Sequence, residues 1–179
     1  MVKSVNHSVG ILGGSFDPAH KGHVAISRIA IKKIKLKKVF WIIAKKNPFK
    51  KKSLHSLNQR IEIAKKISKK ISKVQVSYLD ETIGSSRSID IVNYLIKEKK
   101  LKNIYFLIGS DNLIGFHKWK NWKKIVELTK LVVFSRKGYD KKGMKSKVAK
   151  YLKNKIIFIK NKPIIISSTE LRKKRKKNF

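Results

Sequence analysis

Apolar residues in this chain fall into short continuous runs separated by longer stretches in which they recur every three or four positions. The short runs, rich in β-branched and aromatic residues, read as strands; the longer stretches carry the period of a helix with one buried face. Ser8 to Leu12 is the first expected strand, followed by a glycine-rich turn and a helix from about Gly22 to Ile34. A strand from Val39 to Ala44, a lysine-rich loop around Asn47 to His55, a helix from Leu57 to Ile71, a strand from Val74 to Tyr78 and a helix from Ser88 to Glu98 come next. The rhythm then repeats: strand Ile104 to Ile108, a helical region from Asn112 to Leu128, strand Leu131 to Phe134, helix Gly143 to Leu152, strand Ile156 to Ile159, and a final helix from about Ser168 to Lys177.

Strands alternating with helices predict βαβ units around a mostly parallel sheet. Val39-Phe40-Trp41-Ile42-Ile43 is apolar on successive residues, as a strand must be when helices cover both faces of its sheet. The expected class is therefore α/β: a single Rossmann-like, doubly wound domain spanning residues 1–179, with helices on both faces. A chain of 179 residues is long enough to bury a real core as one domain.

Composition narrows the function classes. Lys interrupts every apolar run before it reaches the roughly 20 residues needed to cross a bilayer, and the first residues lack a charged-then-apolar export pattern, so a cytoplasmic protein is expected. The absence of Cys removes disulfides, thiolate metal sites and a cysteine nucleophile. A net charge of +36 would ordinarily point to nucleic acid. Here the lysines run along almost the whole chain, and they accompany an excess of Ile and Asn, the pattern that codon drift in an A+T-rich genome produces. A solvated lysine surface with non-specific attraction for polyanions is expected, with no specific nucleic-acid face and no membrane contact. The basic tail from Arg172 to Lys177 reads in the same way, as cations near a helix C-terminus.

Chemistry concentrates where the first strand runs into Gly13-Gly14-Ser15-Phe16-Asp17-Pro18-Ala19-His20-Lys21-Gly22-His23. In an α/β sheet this is the carboxyl end of a strand, where ligands bind. Gly13 and Gly14 allow either a close approach of backbone to phosphate or a positive φ. The helix N-terminus beyond them offers unpaired N–H groups and a positive dipole. His20 and His23 share one face of that first turn, and a cation there is unfavourable unless an anion lies nearby. The spacing fits neither common glycine-rich nucleotide loop, and two histidines at this separation do not make a zinc site, so no protein-held metal is expected. A second candidate, Gly109-Ser110-Asp111, follows the apolar strand at Ile104 to Ile108; Asp111 reads equally as a ligand contact or a helix N-cap. In Ser167-Ser168-Thr169-Glu170-Leu171-Arg172 the Ser167 and Glu170 pair fits a capping box, with Arg172 set against the helix dipole.

These residues resemble those of the nucleotidyltransferases with a His-x-Gly-His motif, here His20-Lys21-Gly22-His23, and within that superfamily the nicotinate-nucleotide adenylyltransferases. The resemblance rests on Gly13 to His23, Trp41 to Lys50, Gly109 to Leu113, Phe116-His117-Lys118-Trp119-Lys120-Asn121-Trp122, and Ile166 to Arg172. It implies transfer of AMP from ATP to nicotinate mononucleotide, giving deamido-NAD and pyrophosphate in NAD biosynthesis, with Mg²⁺ carried by the ATP phosphates. It further implies catalytic roles for His20, His23 and Arg172. Gly13, Gly14, Ser15, Phe16, Gly22, Lys50, Gly109, Asp111, Ser168 and Thr169 join these three in the ATP site, which the helix at about 168–177 completes. Ser15, Phe16, Lys50, Ser86, Arg87, Ser88 and Trp119 are expected around the mononucleotide, Trp119 stacking on the pyridine ring while Trp122 packs; Asp17 is expected to orient the loop. The family commonly has Ser/Thr-Tyr-Thr-x-Asp-Thr where this chain has Ser86-Arg87-Ser88-Ile89-Asp90-Ile91. Alternatives are an adenylyltransferase using phosphopantetheine or nicotinamide mononucleotide, and a non-catalytic basic nucleic-acid-binding module.

Overall fold

The computed structural model describes residues 8–45 and 53–161. Its first half runs β1 (Val9–Gly14), α1 (Lys21–Ile34), β2 (Lys38–Ile43), α2 (Leu57–Ser68), β3 (Val74–Ser77), a single turn α3 (Asp80–Ile83) and α4 (Ser88–Lys97). The second half runs β4 (Ile104–Gly109), α5 (Ser110–Gly115), a 3-10 turn (Phe116–Lys118), α6 (Trp122–Leu128), β5 (Lys130–Phe134), α7 (Asp140–Met144), α8 (Lys147–Leu152), a second 3-10 turn (Lys153–Lys155) and β6 (Ile157–Ile159).

Among the described residues six strands form one sheet in the order β3-β2-β1-β4-β5-β6, and every neighbouring pair is parallel. The expectation of a Rossmann-like, doubly wound sheet holds. Apolar side chains leave both faces because successive residues of a strand point to opposite sides. Ile42, Phe106, Ile108, Leu131 and Val133 pack under α4, α5, α6 and α8. Trp41, Ile43, Leu107, Val132 and Phe134 pack with α1 and α2 on the other side.

Local differences from the sequence pattern have local causes. β1 continues through the glycine pair, and neither Gly13 nor Gly14 takes a positive φ; among the described glycines only Gly84 and Gly138 do. The first α helix begins at Lys21, capped by His20, whereas the helix after Ser56 stops at Ser68, where the Ser68 hydroxyl turns back on the Lys65 carbonyl. The expected helix from Asn112 to Leu128 is broken. Trp119 takes an extended conformation and Asn121 a left-handed one at φ 53°, which Asn tolerates better than most residues. Similarly, the segment expected as one helix from Gly143 divides at Ser146, whose hydroxyl caps α8 by accepting from the Ala149 amide.

Candidate active site

All six strands end at one edge of the sheet, and the central pair opens there. The β1–β4 register runs only from Val9↔Ile104 to Ile11↔Phe106, while β1 stays paired with β2 as far as Gly14↔Ile43. Beyond Ile11 the two central strands separate, and the chain reverses its direction of winding between them, the position at which open α/β sheets form a ligand crevice. A Cβ placed on Gly13 would meet nothing within 4 Å. Of the two uses of this glycine pair, close approach remains and positive φ is removed.

The histidines are built into the helix end. His20 is the N-cap of α1, its Nδ1 accepting from the Gly22 amide at 3.1 Å, and His23 Nδ1 accepts in turn from the His20 amide at 3.2 Å. This is a capping box made of two imidazoles in place of the usual hydroxyl and carboxylate. Because Nδ1 accepts in both rings, the neutral rings carry their proton on Nε2. The ring centroids lie 4.0 Å apart, and the first turn of α1 contains no acidic residue. Two donors therefore sit at the positive end of a helix dipole, an arrangement suited to an anion.

Packing beneath the rings fixes them. Phe16 is buried, 4.6 Å from the His23 ring and 5.3 Å from the fully buried Trp41, whose Nε1 donates to Ser27 Oγ at 2.8 Å. Phe16 holds this place with φ at 45°, a left-handed backbone that costs a bulky residue on the order of 1–3 kcal/mol and persists because its surroundings over-determine it. Its ring supports His23 from the core side, and the neighbouring Ser15 is likewise buried. Asp17, only 1% exposed, accepts from the Leu54 and His55 amides at 2.7 and 3.0 Å and contacts His55 Nδ1 at 2.8 Å.

Across the crevice, Gly109, not Asp111, is the N-cap of α5. Asp111 lies in the first turn, where Arg136 Nη1 donates to its Oδ2; its Oδ1 is buried with no hydrogen-bond partner among the described residues. A Cβ at Gly109 would fall 2.4 Å from that Oδ1, so the glycine makes room for the carboxylate. The Arg136 loop is tied down by Asp140, which accepts from Ser110 Oγ at 2.6 Å, Ser135 Oγ at 2.5 Å and the Arg136 amide at 2.8 Å. Burial pushes the Asp140 carboxyl up, but these donors outweigh it and hold the group below the usual carboxylate range.

The remaining candidates sit in the layer of α4 and α6. Ser86 and Arg87 are exposed and Ser88 half-buried at the start of α4, whose N-cap is Arg87; the Arg87 amide donates to Ser85 Oγ, which donates to Asp90. Trp119 is half-buried, 4.8 Å from Phe116 and edge-on to Phe106 at 6.1 Å, whereas Trp122 meets Tyr151 edge-on at 5.1 Å. The two tryptophans, expected on one helix, are divided by the break at Asn121. Lys50, Ser168, Thr169, Arg172 and the helix expected at 168–177 lie outside the described residues. Among the described residues no group of three or more His, Asp or Glu is gathered for a metal ion, and no helix is long and apolar enough to cross a membrane.

Comparison with known proteins identifies the family. The cytidylyltransferase-like family model matches residues 11–174. A protein of Pelagibacter ubique named probable nicotinate-nucleotide adenylyltransferase is 47% identical over 97% of this chain and 99% of its own length. The chain belongs to the nicotinate-nucleotide adenylyltransferase family. A relative of the same name from Endomicrobium trichonymphae is 35% identical over 97% of the chain and 88% of its own length. In fold, the chain is similar to the Plasmodium falciparum nicotinic acid mononucleotide adenylyltransferase solved in complex with NaAD, with a TM-score of 0.76 at 20% identity, covering 93% of this chain and 82% of that one.

Several residues around this candidate site escape a motif reading. Arg60 is buried on α2, donating to the Ser15, Ala44 and Lys45 carbonyls. Asp80, Arg136 and Asp140 likewise act on backbone or on another side chain. One signal was available for Arg60: it shares the buried stripe of its helix with Ala64 and Ser68, where a charged residue needs a partner.

Proposed function

We propose that this nucleotidyltransferase moves AMP from ATP to nicotinate mononucleotide, releasing pyrophosphate and forming deamido-NAD in NAD biosynthesis. The observation carrying the reading is the pair of imidazoles capping α1 at the point where β1 and β4 part, in a chain 47% identical to its Pelagibacter relative. The 5′-phosphate of the mononucleotide attacks the α-phosphorus of ATP in line; one P–O bond forms as the bond to pyrophosphate breaks. Such a transfer needs alignment and charge stabilisation rather than a protein nucleophile. His20 and His23 donate from Nε2 to the triphosphate, Gly13, Gly14 and Gly22 let the backbone approach it, and the half-satisfied carboxylate of Asp111 accepts from the nucleoside. ATP enters with Mg²⁺ on its phosphates as part of the substrate. We place the reaction in the cytoplasm and in a single domain, with Ser168, Thr169 and Arg172 completing the ATP site and Lys50 reaching the phosphates. The excess of 46 basic over 10 acidic residues draws such polyanions in.

Purified protein supplied with MgATP and, in turn, nicotinate mononucleotide, its amide analogue and phosphopantetheine should release pyrophosphate fastest with the first. Preferred use of phosphopantetheine would overturn the assignment. Arg172→Ala is expected to raise the KM for ATP and slow the transfer, since it removes the charge proposed to grip the leaving pyrophosphate; unchanged kinetics with ATP varied would return residues 167–172 to a plain helix start.

Acceptor choice adds a further expectation. Arg87 stands exposed at the N-cap of α4, where the family commonly has Tyr, in the same layer as Trp119. We assign it a charge-assisted contact with the nicotinate carboxylate. Arg87→Ala should then weaken use of the acid by about 10- to 100-fold, the scale of a hydrogen bond to a charged group, and leave the amide analogue nearly untouched. An unchanged ratio of kcat/KM for the two acceptors would leave discrimination to backbone amides and Trp119.

A further inference from the structure

Arg60 is 2% exposed, yet its guanidinium reaches three backbone carbonyls on two different segments. Nη1 donates to Ser15 at 2.8 Å and Ala44 at 2.7 Å, and Nη2 to Lys45 at 3.0 Å. Ser15 lies in the loop between β1 and α1 that leads to His20; Ala44 and Lys45 leave the end of β2, and the Lys45 amide donates to buried Asp80 at 2.7 Å. From the same β1–α1 loop, Asp17 holds Leu54 and His55, the residues just before the Ser56 cap of α2, on which Arg60 stands. Ala44 and Lys45 after β2, and Leu54 and His55 before α2, are thus each tied to the loop that carries the motif, the first pair through Arg60 and the second through Asp17. Burial lowers the Arg60 pKa, opposed by Asp17, Asp80 and Tyr78, and the group stays a cation at neutral pH.

We infer that Arg60 is a positioning residue for the transfer. Its guanidinium sets the Ser15 backbone, and through it His20 and His23, against the end of β2 at Ala44 and Lys45. This rests on the function proposed above. A planar fork serves carbonyls in two directions from a buried position within reach of the Asp17 and Asp80 charges. A lysine ammonium supplies the charge as a point without the fork. Displacement of aligned groups by about 1 Å costs on the order of 10²-fold in rate, so loosening this junction should appear in kcat.

The test compares wild type, Arg60→Ala, Arg60→Lys and, as a control on the exposed face of the same helix, Lys66→Ala, at a temperature where circular dichroism reports each fully folded. Both Arg60 variants should lose about 10- to 100-fold in kcat with the KM for the mononucleotide within about threefold of wild type. Millimolar guanidinium should restore part of the rate in Arg60→Ala and none in Lys66→Ala. Amide exchange in ligand-free protein should quicken at Leu54 and His55 in both Arg60 variants. Wild-type kcat in folded Arg60→Lys, or a loss in Arg60→Ala that guanidinium does not rescue, would overturn the inference. If Arg60→Ala does not fold, the lysine variant decides. If wild type catalyses no transfer, the proposed function fails while the exchange measurement still judges the junction: unchanged exchange rejects it.

Discussion

His20→Ala and His23→Ala should each lower kcat by roughly 10²-fold or more, the scale for removing one preorganised donor from a developing charge. The two imidazoles already hold their Nδ1 atoms against backbone amides, which fixes the rings and leaves the proton of each neutral ring on Nε2, the donor assigned to the triphosphate in the proposed reaction. Loss of the His20 cap also costs helix stability, but only about 0.5–2 kcal/mol. Turnover should therefore collapse in a protein that still unfolds cooperatively. Steady-state kinetics beside a thermal melt separate the two effects. Near-wild-type turnover in either folded variant would remove the histidines from the chemistry.

Trp41→Ala should cost about 3–5 kcal/mol of stability, the range for emptying a large aromatic site from a core. Trp41 is 0% exposed on β2, beside the central strand β1, and underlies Phe16, which supports His23. The Ser27 hydroxyl loses its indole partner but retains its own bond to the His23 carbonyl at 2.9 Å, so the dominant loss is packing. Urea unfolding measures the change directly, and a loss below about 1 kcal/mol would mean that the site collapses far more readily than its surroundings suggest. Trp41→Phe, which fills most of the volume, should recover the greater part of the loss.

Much of this architecture was legible in the chain. Continuous apolar runs such as Val39 to Ile43 required a sheet covered on both faces, and the alternation of periods required parallel strands joined by helices. The histidine pair was legible because it falls where a strand hands over to a helix, a position with only one polarity. Where the pattern misled, a short-range preference gave way to a packing demand. The Asn112 to Leu128 stretch has helical spacing throughout, yet Asn121 in a left-handed conformation breaks it and lets Trp119 lie against Phe106 and Phe116.

The order of residues was enough to specify the class of fold, the parallel sheet, the position of the motif at a strand's carboxyl end, and the family. Which groups hold that motif in place became visible in the folded chain. Asp17, Arg60, Asp80 and Asp140 act on backbone atoms up to 45 residues away in the chain, as between Arg60 and Ser15. Neither spacing nor composition encodes such contacts. They arise because burying a charge is tolerable only where the fold brings hydrogen-bonding partners to it, and that meeting exists only once the strands have assembled.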